Sequence, residues 1–574
     1  MSKHTAPAAK PAVSKKLRNT QLTAKLRAEQ YPNDYYASGQ QLFCKFCQHT
    51  IDWSRKDTCN DRLKSKVHLK NKAKSSGRAL QVSLDVATKS QDDRWEFVED
   101  FVAMCAEADI PLEKMRKIRP LLVKHCKQGG ALPENPSSLR QIHLQRVFNE
   151  HMQTVLQEIR DKKLFVVVDE TSDNRDRSVL NIVIGTEGKY YLTDVIFMDS
   201  CNFSTLSQAL LQSLHSSQIN LNDVLAVVTD SASYCLKAYK EVLKGVMPNS
   251  VYANCLCHII NLVGETWQHY SYFSDVTSLV MWIKSAFFKK PARKRRWLHF
   301  LSAKDAVHVK VPPEPGNTRW NSWFEAVRFH AEHVHLYKEF FSAEKSSAQA
   351  VKNILDLVET DDKQETLQRK LTFISEGCGK LVRALTVLEG THTLTAVSAY
   401  IIMENLGSYL VNGTAKTYGF GAKTDELLNE MSIRKKKSVL DYLHDAFHIA
   451  FEKFSKHWDV HPAKQVYKMI RVFDPRQAPA MERQFEAYGT LSALKTPSAE
   501  LSEEWAAYQH CVRNEGLSEL LDLAEYWKGT TQRFPEIAAI AKSYMHFPVS
   551  SVDCERSFSK YKTILTDKRE SLTE

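Results

Sequence analysis

The sequence has no apolar run that approaches the roughly 18 residues needed to cross a bilayer, so no membrane span is expected. Its first residues, Met1 to Lys16, carry charge without an apolar segment, which argues against a secretory signal. It has neither an amphipathic basic helix nor a lipidation motif to anchor it to a membrane surface. Cysteine is sparse: 12 are scattered through 574 residues without a dense framework, which suits a reducing compartment. A content of 43% hydrophobic residues with ten tryptophans excludes global disorder. Excess charge is also missing from most of the chain. Residues 1–90 hold 18 Lys and Arg against 6 Asp and Glu, which accounts for the whole net charge of +11 and leaves the rest near neutrality. A basic module on a neutral body points to a polyanionic partner, with nucleic acid ahead of an anionic surface.

Residues 1–30 are rich in Lys, Ala, Thr and Pro with little periodicity, and a mobile tail is expected there. Order is expected from Tyr35-Tyr36 and Gln41-Leu42-Phe43-Cys44-Lys45-Phe46-Cys47. A Cys-x2-Cys pair on a tight turn presents two thiolates to one tetrahedral metal, and aromatic neighbours supply a small core. Further on, Leu63-Lys64-Ser65-Lys66-Val67-His68 reads as a basic helix whose His68 can close the site. The spacing resembles the BED-type zinc finger, in which a helix carrying two His ligands follows the cysteine pair and lies against DNA. That resemblance implies zinc on Cys44, Cys47 and His68, with Arg62, Lys64 and Lys66 facing DNA. Arg62 stands where the first helical His would fall, and Arg cannot ligate zinc. Cys59 is the candidate substitute and His49 a poorer one; three ligands with water, or no metal and a reduced pair of core cysteines, stay open.

A Ser/Lys/Gln linker over 75–92 leads to Trp95, Phe97, Val98, Phe101, Val102 and Cys105 at helical spacing. Helical material continues through Asp109–Lys114, Arg119–Cys126 and Leu139–Lys162. The N-terminal third resembles the CGG triplet repeat-binding protein family. The resemblance rests on Leu42-Phe43-Cys44-x2-Cys47, on Leu63-Lys64-Ser65-Lys66-x-His68, and on the stretch from Phe97 through Met104-Cys105 to Ile110-Pro111-Leu112-Glu113-Lys114.

The body opens with a β-branched and aromatic run, Leu164 to Val168, that stops at Asp169; Val224 to Thr229 repeats the pattern before Asp230. Each reads as a strand buried on both faces that holds a carboxylate at the rim of a sheet. Two such carboxylates suggest a site for hard divalent cations, and simple capping of the next element is the plainer alternative. Three strand candidates follow one another, Leu164–Asp169, Val179–Gly185 and Tyr190–Phe197, with Gly185-x2-Gly188 as a hairpin connection. Helices over Thr205–Ser216 and Ala232–Leu243 flank the Asp230 strand. This is the order of a ribonuclease H-like fold. Cys255-x2-His258 has no second Cys/His pair nearby, which favours a role in positioning a helix beside Asp230 over zinc binding. Lys289-Lys290 with Arg293-Lys294-Arg295-Arg296 reads as a nuclear localisation signal, a phosphate contact or a solvated helix face. Arg319 beside Trp320 and Trp323 has the chemistry to hold a phosphate while an indole stacks on an unpaired base, although Trp clusters are commonly core. Residues 324–500 read as nearly continuous helix without a chemistry-bearing motif.

Near the end, Phe547-Pro548-Val549-Ser550-Ser551-Val552-Asp553-Cys554-Glu555-Arg556-Ser557-Phe558-Ser559 resembles the signature of hAT-superfamily transposases, a proline-serine turn before a helix carrying Glu-Arg-x-Phe-Ser. Asp169, Asp230, Cys255-x2-His258 and Arg319-Trp320 match the family's other motifs in order. The resemblance implies that Asp169, Asp230 and Glu555 are the acidic ligands of two Mg²⁺ or Mn²⁺ ions, with Cys255, His258, Arg319 and Trp320 supporting the metals and the flanking DNA. Thr171 stands where many members carry a Trp that stacks on a flipped base, which counts against hairpin chemistry. Members usually continue past the position of Glu574 with another apolar helix, which counts against a full dimerisation region.

The expected architecture is an α/β ribonuclease H-like core interrupted by a large all-α insertion, preceded by a small zinc-finger module and a helical segment. The expected boundaries are a basic tail over 1–30, a BED-like finger over 31–75, a helical DNA-binding segment over 76–160, the first part of the core over 161–325, the insertion over 326–500 and the hAT C-terminal region over 501–574. Three functions compete. One is a metal-dependent transposase that cleaves and joins the ends of its own transposable element. Another is a domesticated DNA-binding regulator of RNA polymerase II transcription without catalysis. The third is an assembly module that uses the hAT surface for protein contacts. The expected partners are double-stranded DNA and a further copy through the C-terminal region, without a membrane, and the expected place is the nucleus.

Overall fold

A computed structural model of the chain describes residues 22–75, 83–173, 177–304, 308–316, 320–390, 396–514 and 521–564. It divides into two compact units, Met1–His151 and Met152–Glu574. Among the described residues no helix is long and apolar enough to cross a membrane.

In the first unit, a three-stranded antiparallel sheet, β1 (Tyr35–Ser38), β2 (Gln41–Cys44) and β3 (Thr50–Ile51), packs with three helices. Helix α1 (Ala24–Gln30) is capped by the Thr23 hydroxyl, which accepts the Leu26 N–H. It occupies residues that composition assigns to a mobile tail. The reason is tertiary: buried Arg27 donates to the Trp53 carbonyl at 2.9 Å, and the Tyr31 hydroxyl donates to Asn60 at 2.7 Å. Helices α2 (Lys56–Lys64) and α3 (Lys66–Ser75) are separated by Ser65, whose backbone is extended. Ala24, Tyr35, Leu42, Cys44, Ile51 and Cys59 form the core of this module. Helices over Ser83–Glu107 and Met115–His125 follow in the same unit, around Val98, Val102, Cys105, Met115 and Leu139.

The second unit is built on a five-stranded mixed sheet in the order β6-β5-β4-β7-β8. The strands are β4 (Leu164–Ser172), β5 (Ser178–Thr186), β6 (Lys189–Met198), β7 (Val224–Thr229) and β8 (Val251–Asn254). The first three form an antiparallel meander, and β4, β7 and β8 run parallel. The β5–β6 loop is Glu187-Gly188, with φ of 46° and 82°; positive φ at both positions matches a two-residue hairpin turn to the strand twist. Side chains alternate across the sheet. Val166, Val168, Leu180, Ile182 and Val227 bury one face under α4 (Phe203–Ser216), which Asn202 and Thr205 cap reciprocally. Phe165, Val167, Val183, Ala226 and Val228 bury the other face in the main core, beneath α5 (Leu256–His269) and α6 (Val552–Ile564).

Between Trp320 and Trp458 the described chain is mostly helical, with long helices over Trp320–Ala343, Asp361–Gly377, Ala396–Gly413 and Ile433–Trp458. These share the main core with α5: Trp267 meets Phe373 at a tilt and Phe447 edge-on, and its indole N–H donates to the Ala446 carbonyl at 2.8 Å. Gly377 lies against that indole, where an added Cβ would come within 2.9 Å of it.

Candidate metal centre and acidic site

The finger brings Cys44, Cys47 and His68 together, with their ligand atoms all within 4.8 Å of one another. Strand β2 ends on Cys44, the turn after it presents Cys47, and α3 carries His68. His68 directs Nδ1 at the thiols, 3.2 Å from Cys44 Sγ and 3.9 Å from Cys47 Sγ. Its Nε2 lies 3.1 Å from Asp34 Oδ1, which also takes Lys72 at 2.6 Å. A carboxylate on the far nitrogen fixes the tautomer whose Nδ1 lone pair faces the sulfurs, as in carboxylate–His–zinc arrangements. Burial raises the Cys44 thiol above its ordinary value, with Cys47 adding to it. Two thiols, one imidazole and a carboxylate behind it suit zinc.

Cys59 is not part of this group. Its side chain turns into the module core and its thiol faces the Asp52 carbonyl at 3.9 Å, while the Cys59 carbonyl accepts the Tyr35 hydroxyl at 2.6 Å. The helix face that packs on the hairpin claims it. Arg62 is half-buried, and its Nε is without a partner among the described residues. Lys64 and Lys66 are exposed.

On the sheet, β4 does not end at Asp169. It continues to Ser172 because antiparallel pairing with β5 holds to Ser172–Ser178, whereas the parallel ladder with β7 stops at Val167–Val228. Asp169 therefore sits where the sheet narrows, and continuing the parallel register by two residues sets it across from Asp230. By alternation both carboxylates share the face of Phe165, Val167, Ala226 and Val228. Burial, followed by the charge of Asp230 and then Cys255, pushes the Asp169 carboxyl up to about 8. Asp230 accepts the Ala232 N–H at 3.0 Å and lies 3.7 Å from the Cys235 sulfur.

Helix α6 packs on this face. The buried Cys554 thiol points at the carbonyls of Val167 (3.4 Å) and Asn181 (4.0 Å), so the helix that carries half-buried Glu555 lies against this sheet face, while the ligand atoms of Asp169, Asp230 and Glu555 do not form one close group as those of the finger do. Arg556 donates to the Glu389 carbonyl at 2.6 Å, and Phe558 is buried. Cys255 ties α5 to the segment before α6. Its sulfur accepts the N–H of His258 (3.4 Å) and of Ser551 (3.3 Å), and Leu256 N–H donates to the Val549 carbonyl at 2.9 Å. A hydrogen bond from Cys257 and those two N–H groups bring the fully buried Cys255 thiol down to about 6. Cys255 is thus a cap and a cross-link between segments, while His258 is half-buried in the first turn of α5.

Arg319 and the Trp320 side chain lie outside the described residues. The basic cluster after Lys289 is largely engaged within the fold: Arg293 and Arg296 both bond Glu344, at 2.8 Å and 2.6 Å, and Lys294 pairs with Glu314 at 2.8 Å. The two guanidiniums hold the Glu344 carboxyl down at about 2. Asp34 and Asn181 escaped the sequence reading. Asn181 left a signal, a lone amide inside the apolar run Val179-Leu180-Asn181-Ile182-Val183-Ile184. Asp34 left none.

Comparison with known proteins matches three stretches. Residues 18–74 match the family profile described as CGGBP1 N-terminal domain, residues 136–282 the one described as Domain of unknown function (DUF659), and residues 503–574 the hAT family C-terminal dimerisation region. Two proteins named CGG triplet repeat-binding protein 1, from Mus musculus and Homo sapiens, are each 35% identical over 127 residues, covering 21% of this chain and 75% of theirs.

Proposed function

We propose, for a chain that belongs to the CGG triplet repeat-binding protein family by its N-terminal part and matches the hAT family C-terminal dimerisation region over residues 503–574, a transposase-like nuclear DNA-binding protein with a divalent-metal centre for DNA cleavage and strand transfer. The observation that carries the second half is the in-register pair Asp169 and Asp230 on one sheet face under the helix of Glu555. The strand order, an antiparallel meander followed by two parallel strands, supports a ribonuclease H-like core. In the finger, zinc would be held by Cys44, Cys47 and His68, leaving Arg62, Lys64 and Lys66 to meet the phosphates of double-stranded DNA. The relatives are named for binding CGG triplet repeats, which supports DNA as the ligand of this module.

Hard cations take oxygen ligands, and Asp169, Asp230 and Glu555 would supply them beside the sheet face that α5 and α6 cover. Two such ions would stabilise the attacking and leaving oxygens of an in-line displacement. The chain's own contribution is rigidity. Asp169 is fixed by the β4–β5 ladder, Asp230 by the turn into Ala232, and α6 by the Cys255–Ser551 link. Self-association through residues 503–574 would bring two such centres to two DNA ends.

The test is Mn²⁺-dependent cleavage and strand transfer on DNA from the ends of the element flanking the gene, with Asp169→Asn as control. A loss of at least about 10²-fold in the variant is the expected result. Tight binding by a parent protein that cleaves nothing would assign the chain as a DNA-binding regulator instead.

A further inference from the structure

Asn181 is 1% exposed, and its Oδ1 has no hydrogen-bond partner among the described residues. A buried acceptor left unpaired costs about 1–3 kcal/mol, so such an atom calls for an explanation. Its orientation is determined by its neighbour. The Ser557 hydroxyl donates its one proton to the Cys554 carbonyl on α6, so Ser557 Oγ has only a lone pair to offer Asn181. With that arrangement Asn181 presents Nδ2 to Ser557, and Oδ1 is left without a partner among the described residues.

Asn181 is the cross-strand partner of Asp169 in the β4–β5 ladder. Directly opposed residues have Cβ atoms about 4.5–5.5 Å apart, close enough for both side chains to reach one ion. Alternation puts Asn181 on the same face as Val183, which is the face of Phe165 and Val167 and hence of Asp169. The strand therefore carries an amide oxygen in an apolar setting, beside a carboxylate, with no hydrogen-bond donor to it among the described residues. Amide carbonyls are ordinary ligands of hard divalent cations.

We infer that Asn181 Oδ1 is a neutral oxygen ligand for the divalent cation held by Asp169, and that its Nδ2 bond to Ser557 sets the ligand's direction from the helix that carries Glu555. The inference rests on the reading of this face as a cation site. The same side chain then reports whether α6 is seated, because the amide is aimed only when Ser557 is in place.

The experiment is a Mn²⁺ titration of the full, zinc-loaded chain followed by electron paramagnetic resonance, on the parent, Asp169→Asn, Asn181→Leu and Asn181→Asp. Asn181→Leu should weaken Mn²⁺ about tenfold or more. Asn181→Asp, which restores an oxygen donor, should bind at least as tightly as the parent. A purely structural amide predicts the reverse for Asp, a buried like charge that impairs the fold without any gain in affinity. Unchanged affinity in Asn181→Leu, with binding lost in Asp169→Asn, overturns this inference and leaves the cation site standing. Unchanged affinity in Asp169→Asn overturns both.

Discussion

As proposed, the finger and the sheet would each hold a metal, with opposite materials. In the finger, sulfur and imidazole lie within one short stretch, Cys44 to His68, and the module has only six buried apolar residues to hold itself together. On the sheet, carboxylates come from Asp169, Asp230 and Glu555, which are scattered over most of the unit, and a large core exists without any ion. The difference teaches where metal energy goes. In a small module it is folding energy, because the core alone is too small. In a large one the scaffold is already present, and an ion at the proposed site would relieve a local electrostatic cost, the burial of like charges.

Removing zinc is the strongest way to sharpen this contrast. Apparent binding energies of structural zinc run to about 10 kcal/mol or more in small modules. Cys44→Ser should therefore lose bound zinc and unfold residues 22–75, seen as loss of amide protection there, while the second unit keeps its cooperative melt. Retained zinc in the variant would break the assignment.

The sheet should answer to pH in place of zinc. The Asp169 carboxyl stands at about 8, above its unfolded value, so the folded state favours its protonated form. Its stabilising contribution in chelator is full at acid pH and is lost as pH rises from the ordinary carboxylate range through 8. Asp169→Asn should remove that decline, with a gain over the parent on the order of a few kcal/mol at pH 8. Parallel stability–pH curves for the two proteins would contradict it.

Glu344 runs the other way. Two arginines hold its carboxyl down at about 2, so its contribution is present at neutral pH and is lost as pH falls through that value. Glu344→Gln should destabilise the second unit by about 3 kcal/mol at pH 7, read by denaturant midpoint, because Arg293 is left nearly buried without its counter-charge. An unchanged midpoint would return that basic cluster to phosphate binding. The smallest effect belongs to exposed Lys64 and Lys66. Each Ala substitution should lower the salt slope of DNA binding by about one, with similar loss on every sequence.

Both aspartates were legible because an apolar run that stops at a carboxylate is a strong local pattern, and Leu164–Val168 and Val224–Thr229 have it. The extent of β4 was not. Its last three residues, Glu170 to Ser172, have β5 as their only ladder partner, with the Tyr234 hydroxyl donating to Glu170, which no property of those residues announces. Cys59 misled because spacing gives a cysteine's distance along the chain and not the helix face it occupies. Arg293 and Arg296 read as free charge because their partner Glu344 lies about fifty residues on, where sequence proximity is silent. Cys255-x2-His258 was legible as a positioning element, whereas its link to Ser551, 296 residues away, was not.

The helix that covers the Asp169 face is also among the last described parts of the chain to be synthesised. From Asp230 to Val552 there are 322 residues, which at ribosomal rates take roughly 15–60 s. Throughout that interval the strip formed by Val167, Val183 and Ala226 has no α6 above it. A nascent chain with both aspartates in place lacks the third carboxylate, and it also presents sheet surface that a chaperone must shield. Completion of the proposed acidic centre is thereby tied to the synthesis of α6, a delay set by the length of the helical stretch between.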